Sequence, residues 1–116
     1  MRQKCLMLGA GKSEVQRKLL APTSLPEDQT DWTTLDYYVD ADIKFNLWDL
    51  ARGQWNDQVL KENEYDEIHA YEVLEHFGTQ GIPEHFFNTF NGLWKMLKSG
   101  GLLIATTPGQ SPQWAW

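Results

Sequence analysis

The sequence contains a single cysteine, Cys5, no apolar run of membrane length and no surplus of positive charge. Each shortage excludes something. One thiol cannot close an intrachain disulfide, and within the apolar run 4–8 it reads as a small buried hydrophobe rather than a nucleophile. The three histidines, His69, His76 and His85, show no H-E-x-x-H spacing, and a lone cysteine makes C-x-x-C impossible, so no zinc ligand set is legible and no metal is expected. A membrane helix needs ~20 consecutive apolar residues. The N-terminal Met-Arg-Gln-Lys is followed by only four before Gly9, too few for a signal-peptide core as well. The expectation is a soluble, cytoplasmic chain with no membrane partner. Ten Lys and Arg stand against sixteen Asp and Glu, for a net charge of −6, and the basic residues are scattered. Phosphate backbones are held by clustered Lys and Arg, so the balance argues against nucleic acid as a partner.

With 116 residues, 41% hydrophobic and 13% aromatic, there is material for one core and one domain, residues 1–116. A domain of this size hides roughly two thirds of its unfolded surface. Residues 4–8 form a short apolar run that stops at Gly9-Ala10-Gly11, a buried strand followed by a tight turn. Val15, Leu19 and Leu20 suggest a short helix, which Pro22 and Pro26 cut off. Residues 33–38 and 43–48 are rich in β-branched and aromatic side chains and read as strands around the acidic turn Val39-Asp40-Ala41-Asp42. Residues 67–73 read as a further strand leading into Leu74-Glu75-His76-Phe77-Gly78. Pro83 suits the first turn of a helix along which Phe86, Phe87, Phe90, Leu93, Trp94 and Leu97 recur every three or four residues. That period predicts an aromatic stripe, Phe86, Phe87, Phe90 and Trp94, packed on the sheet as core. Gly100 and Gly101 end the helix, and residues 102–106 form a last strand closed by Pro108. Strand, helix, strand is the crossover unit of a parallel sheet, so the fold class is α/β.

A glycine turn straight after a strand lies at the carboxyl end of a parallel sheet, where such folds bind ligands. Spacing separates the ligands. A phosphate-binding P-loop needs a glycine five residues before Gly11-Lys12-Ser13, and that position is Leu6. The dinucleotide fingerprint needs a third glycine three residues after Gly11, and that position is Glu14, which weakens a nicotinamide site.

The segments LMLGAGKS, TTLDYY, IKFNLWDL, EYDEIHAYEVLEHF and LWKMLKSGGLLIATTP, in this order, resemble the nucleotide-binding half of class I methyltransferases that use S-adenosylmethionine, of the compact bacterial and phage methyltransferase type 11 kind. The resemblance runs from about Lys4 to Pro108, and YDEIHAYEVLEH with KMLKSGG and LLIATTP is its most specific part. It implies a Rossmann-like, mostly parallel sheet of about five strands in the order 3-2-1-4-5, against seven in the family. The chain therefore reads as truncated: a fragment of a longer protein, or a short form that joins a second copy through the open sheet edge as a homo-oligomer.

The resemblance also implies roles. Gly9, Ala10 and Gly11 would pass beneath the amino-acid tail and ribose of S-adenosylmethionine, where a larger side chain would clash. Asp36 would accept both ribose hydroxyls, because a charged acceptor makes the stronger forked bonds, with Asp40 as its rival. The interval from Gly11 to Asp36 is 25 residues, against ~20 in the dinucleotide pattern. Asp49, at the end of the third strand, would bind the adenine amino group, with the Leu50 backbone beside it and Trp48 or Tyr37 near the ring. Glu72 would add negative potential near the sulfonium, and His76 could take a proton from the methyl acceptor. Methyl transfer is an in-line displacement from an activated donor, so positioning can supply most of the acceleration without a base. His69 and His85 are weaker candidates. The function implied is an S-adenosylmethionine-dependent methyltransferase acting on an unidentified acceptor. The alternatives are a non-catalytic cofactor-binding or assembly module of the same fold, and a nicotinamide-dependent oxidoreductase.

Overall fold

Five short strands, each rich in Leu, Ile, Val, Thr or aromatic residues, pair side by side in one direction. The structure, a computed structural model, describes residues 2–9, 29–37, 40–71, 73–74, 77–79 and 81–106. Strands β1 (Gln3–Leu8), β2 (Thr30–Asp36), β3 (Ile43–Lys44), β4 (Tyr65–Tyr71) and β5 (Leu97–Thr106) form one sheet in the order β3-β2-β1-β4-β5. Every pairing is parallel. Helices α1 (Leu47–Ala51) and α2 (Pro83–Met96) complete the described elements. The fold is α/β and Rossmann-like, in the strand order the resemblance implied. Because β1 has β2 on one side and β4 on the other, the strand order reverses at β1, the place where parallel sheets leave a crevice at their carboxyl ends.

Alternation along the strands divides the buried residues between two faces. Leu6, Leu8, Leu35, Ile68 and Ala70 join Leu50, Leu93 and Met96 of the helices in the apolar cluster. Cys5, Met7, Glu67 and His69 fall on the opposite face and are buried just as fully.

Three expectations are corrected. Residues 43–48 do not continue as a strand: β3 ends at Lys44, and the chain turns into α1 at Leu47. Asn46 is the reason, since its Oδ1 accepts the Trp48 N–H at 3.0 Å and caps the helix, while Leu47, Leu50 and Ala51 bury at helical spacing. Gly100 and Gly101 do not end α2. Leu97 is already extended and pairs with Tyr65, and Leu102 pairs with Glu67, so residues 98–101 bulge out of β5. Gly101 is required there because a Cβ would lie 2.9 Å from the Lys98 carbonyl oxygen and 3.0 Å from that of Asp66.

The aromatic stripe is also misassigned. The buried line of α2 is Thr89, Gly92, Leu93 and Met96, with Phe86 and Phe90 half-buried beside it, whereas Phe87 is 61% and Trp94 75% exposed. Helical period alone does not say which side is covered. Gly92 decides it, because a Cβ there would meet Leu50 Cδ2 at 2.7 Å, so α2 lies close on α1 through its glycine and not through its largest rings. The Asn88 amide seals the same contact, donating to the Ala51 carbonyl at 3.0 Å.

Candidate functional site

The carboxyl ends of β1, β2 and β4 meet at Gly9. Its φ of +76° is a conformation that side chains with a Cβ resist, and its N–H donates to the Leu35 carbonyl at 2.9 Å. A Cβ at Gly9 would lie 2.5 Å from Val73 Cγ2, so β4's exit leaves room for glycine alone. Asp36 follows Leu35 directly, and its own carbonyl accepts the Phe45 N–H at 3.1 Å. Two backbone bonds thus fix the end of β2, one to the glycine turn and one to the residue after β3. Gly9 and Asp36, far apart in sequence, become neighbours across a strand pair.

Asp42, in the acidic turn, is occupied structurally. Its Oδ2 accepts the Thr34 N–H at 2.9 Å and the Thr34 hydroxyl at 3.2 Å, and its own N–H donates to Thr34 Oγ1 at 3.0 Å. The turn after β2 is thereby tied back onto the strand, and Asp40 is exposed. Ala10, Gly11, Glu72 and His76 lie outside the described residues, as does the short helix expected around Val15, Leu19 and Leu20.

Asp49 stands in the first turn of α1 rather than at a strand end, where a carboxylate complements the helix dipole. Arg52 Nη1 lies 3.5 Å from its Oδ1. With Phe45, Gln54, Trp55, Asn56, Asp57 and Gln58 it borders a cavity of about 390 Å³, within the ~300–1,000 Å³ of small-molecule sites. Leu50 puts its side chain in the core, and its carbonyl is taken by the Gly53 N–H at 2.9 Å. Trp48 does not border the cavity. Its ring stands edge-on to Phe77 at 6.4 Å and His85 at 5.9 Å, under the Arg52 guanidinium at 5.2 Å. The His85 Nδ1 accepts the Thr79 N–H at 2.9 Å. The aromatic at the cavity is Trp55, over which Lys95 Nζ sits 4.1 Å from the ring centroid. Sequence reading missed Gln54, Trp55 and Gln58; the one signal for them was a tryptophan among amide side chains just after Gly53.

A second polar group lies within the sheet. His69 is wholly buried, with Nε2 2.9 Å from Glu67 Oε1 and Nδ1 2.6 Å from the Tyr71 hydroxyl, so both ring nitrogens are engaged. The Trp32 ring abuts it edge-on at 4.9 Å. Burial pushes the neighbouring Cys5 thiol up to about 12, and the Glu67 and Asp66 carboxylates add to the effect. The same causes, burial first and then Glu67, push the Tyr71 phenol up to about 12. At neutral pH both groups hold their protons, so Cys5 is no free thiolate nucleophile.

Comparison with protein-family models, curated proteins and solved structures returned no match. The functional reading therefore rests on the chain's own residues.

Proposed function

We propose that this chain binds S-adenosylmethionine across the carboxyl ends of β1, β2 and β4 and transfers its methyl group to an unidentified acceptor. The observation that carries the reading is the Gly9 N–H to Leu35 carbonyl bond, which sets a glycine turn with no room for a Cβ beside Asp36 at the reversal of strand order. Bound there, the cofactor would supply a methyl group already activated on a sulfonium. The chain's part is to hold and orient. Gly9, Ala10 and Gly11 would give close backbone, Asp36 or Asp40 would accept ribose hydroxyls, and Asp49 with the Leu50 backbone would serve the base on the β3 side. Glu72 would supply negative potential toward the sulfonium, and His76 would accept a proton where the acceptor carries one.

Calorimetry with S-adenosylhomocysteine tests this. Micromolar binding is expected, weakened by ~1–3 kcal/mol, or about 5- to 150-fold, in Asp36→Ala, because a charged acceptor is lost. A loss in Asp40→Ala instead moves the ribose contact to the rival acid. Absence of heat from the unaltered chain overturns the reading, and NADH added to the same cell tests the nicotinamide alternative.

A second reading, an assembly module of the same fold, is favoured by the outer face of α2. Phe87 and Trp94 are seven residues apart on that helix and both exposed. Apolar groups so placed favour a second copy of the chain. Size exclusion with light scattering is expected to show a species larger than a monomer, reduced to monomer by Trp94→Glu; a monomeric unaltered chain removes this reading.

A further inference from the structure

The β1–β4 pairing sets Cys5 opposite Glu67, and alternation puts His69 on the same face two residues on. The Cys5 sulfur, a Glu67 oxygen and a His69 nitrogen lie within 4.8 Å of one another, and all three residues are buried. We propose that Cys5, Glu67 and His69 form a binding site for a borderline-soft divalent cation of the Zn²⁺ type, separate from the carboxyl-edge site.

The donor set selects the ion. Thiolate and imidazole beside one carboxylate suit Zn²⁺ or Co²⁺, whereas Mg²⁺ and Ca²⁺ are held by oxygen. Zinc bonds of ~2.0–2.3 Å put neighbouring donors about 3.4 Å apart around a tetrahedral ion. His69 Nε2 and Glu67 Oε1 lie 2.9 Å apart and no two of the three donors are more than 4.8 Å apart, so the ion is admitted when the first pair opens and the Cys5 sulfur moves inward. Tyr71 completes the arrangement. Its hydroxyl lies 2.6 Å from His69 Nδ1 and can accept an Nδ1–H, so the ring proton has a partner there once Nε2 turns its lone pair from Glu67 to the ion. On binding, the sulfur–metal bond forms as the Cys5 proton leaves to solvent.

Glu67 also borders a cavity of about 160 Å³ formed with Gln3, Asp66 and the β5 bulge at Ser99, Gly100 and Gly101. No sequence motif announces this, because the ligands come from two strands that are 62 positions apart at the Cys5–Glu67 pair.

Co²⁺ titrated into the full chain, freed of metal with EDTA and desalted, is the test. Stoichiometric binding with a near-ultraviolet thiolate-to-cobalt charge-transfer band is expected, and added Zn²⁺ should bleach it. Since Cys5 is the chain's one cysteine, such a band reports that sulfur directly. Tyr71→Phe, which keeps all three ligands, should retain the band at saturation but weaken affinity by about 10- to 100-fold. His69→Gln should weaken it at least as much. No charge-transfer band with the unaltered chain overturns the site, and so does a band whose affinity is unchanged by both variants. S-adenosylhomocysteine binding is read separately, so failure of either proposal leaves the other standing.

Discussion

Replacing Gly9 with alanine is expected to abolish S-adenosylhomocysteine binding and to lower stability by roughly 2–5 kcal/mol, the sum of a left-handed backbone cost of ~1–2 kcal/mol and an overpacking cost of ~1–3 kcal/mol. The backbone part comes from the φ of +76°, and the steric part from Val73 Cγ2 at 2.5 Å from the new methyl. Val73→Ala separates them. It removes both γ carbons and leaves the Val73 Cβ at 3.4 Å, an ordinary contact. Urea denaturation of the two single variants and the double variant forms a cycle in which the steric part, ~1–3 kcal/mol, returns as a favourable coupling while the backbone part persists. A double variant whose loss merely adds the two single losses would show that β1 and β4 are not wedged together at this turn.

Glu67→Ala is expected to cost ~1–3 kcal/mol with EDTA present, because removing one partner of a buried hydrogen bond leaves His69 Nε2 without it. Glu67 is 2% exposed and His69 not exposed at all, so water cannot replace the lost bond. Glu67→Gln keeps a polar group in reach of His69 Nε2 and should cost far less. Glu67→Leu combined with His69→Leu should also be milder than Glu67→Ala alone, since replacing both partners of a buried hydrogen bond by packed apolar groups can be nearly neutral. Thermal and urea unfolding read all three. Equal losses for Glu67→Ala and Glu67→Gln would mean that carboxylate charge, not the hydrogen bond to His69, is what the site needs.

Much of the architecture was legible because its signals are local. The apolar run before Gly9, Pro83 at the first turn of α2 and the compact apolar run 102–106 each mark an element whose neighbours in sequence dictate it. Residues 43–48 look like a strand by composition, but Asn46 caps a helix in their midst, and a capping bond outweighs a weak strand preference. The phenylalanine and tryptophan stripe of α2 has the right period and the wrong side, since Phe87 and Trp94 face outward while Gly92 admits Leu50.

By itself the sequence determined the α/β class, the glycine turn after the first strand, and the identities of Gly9, Asp36 and Asp49 as residues of interest. Only the tertiary structure decided that Gly9 hydrogen-bonds to the residue before Asp36, that Asp49 sits on a helical turn beside Trp55, and that Cys5, Glu67 and His69 converge. The physical reason is range. Turns, caps and periodicity are set by side chains a few residues apart, whereas strand register joins residues dozens of positions distant, and a one-residue slip of β4 would send Glu67 and His69 to the other face.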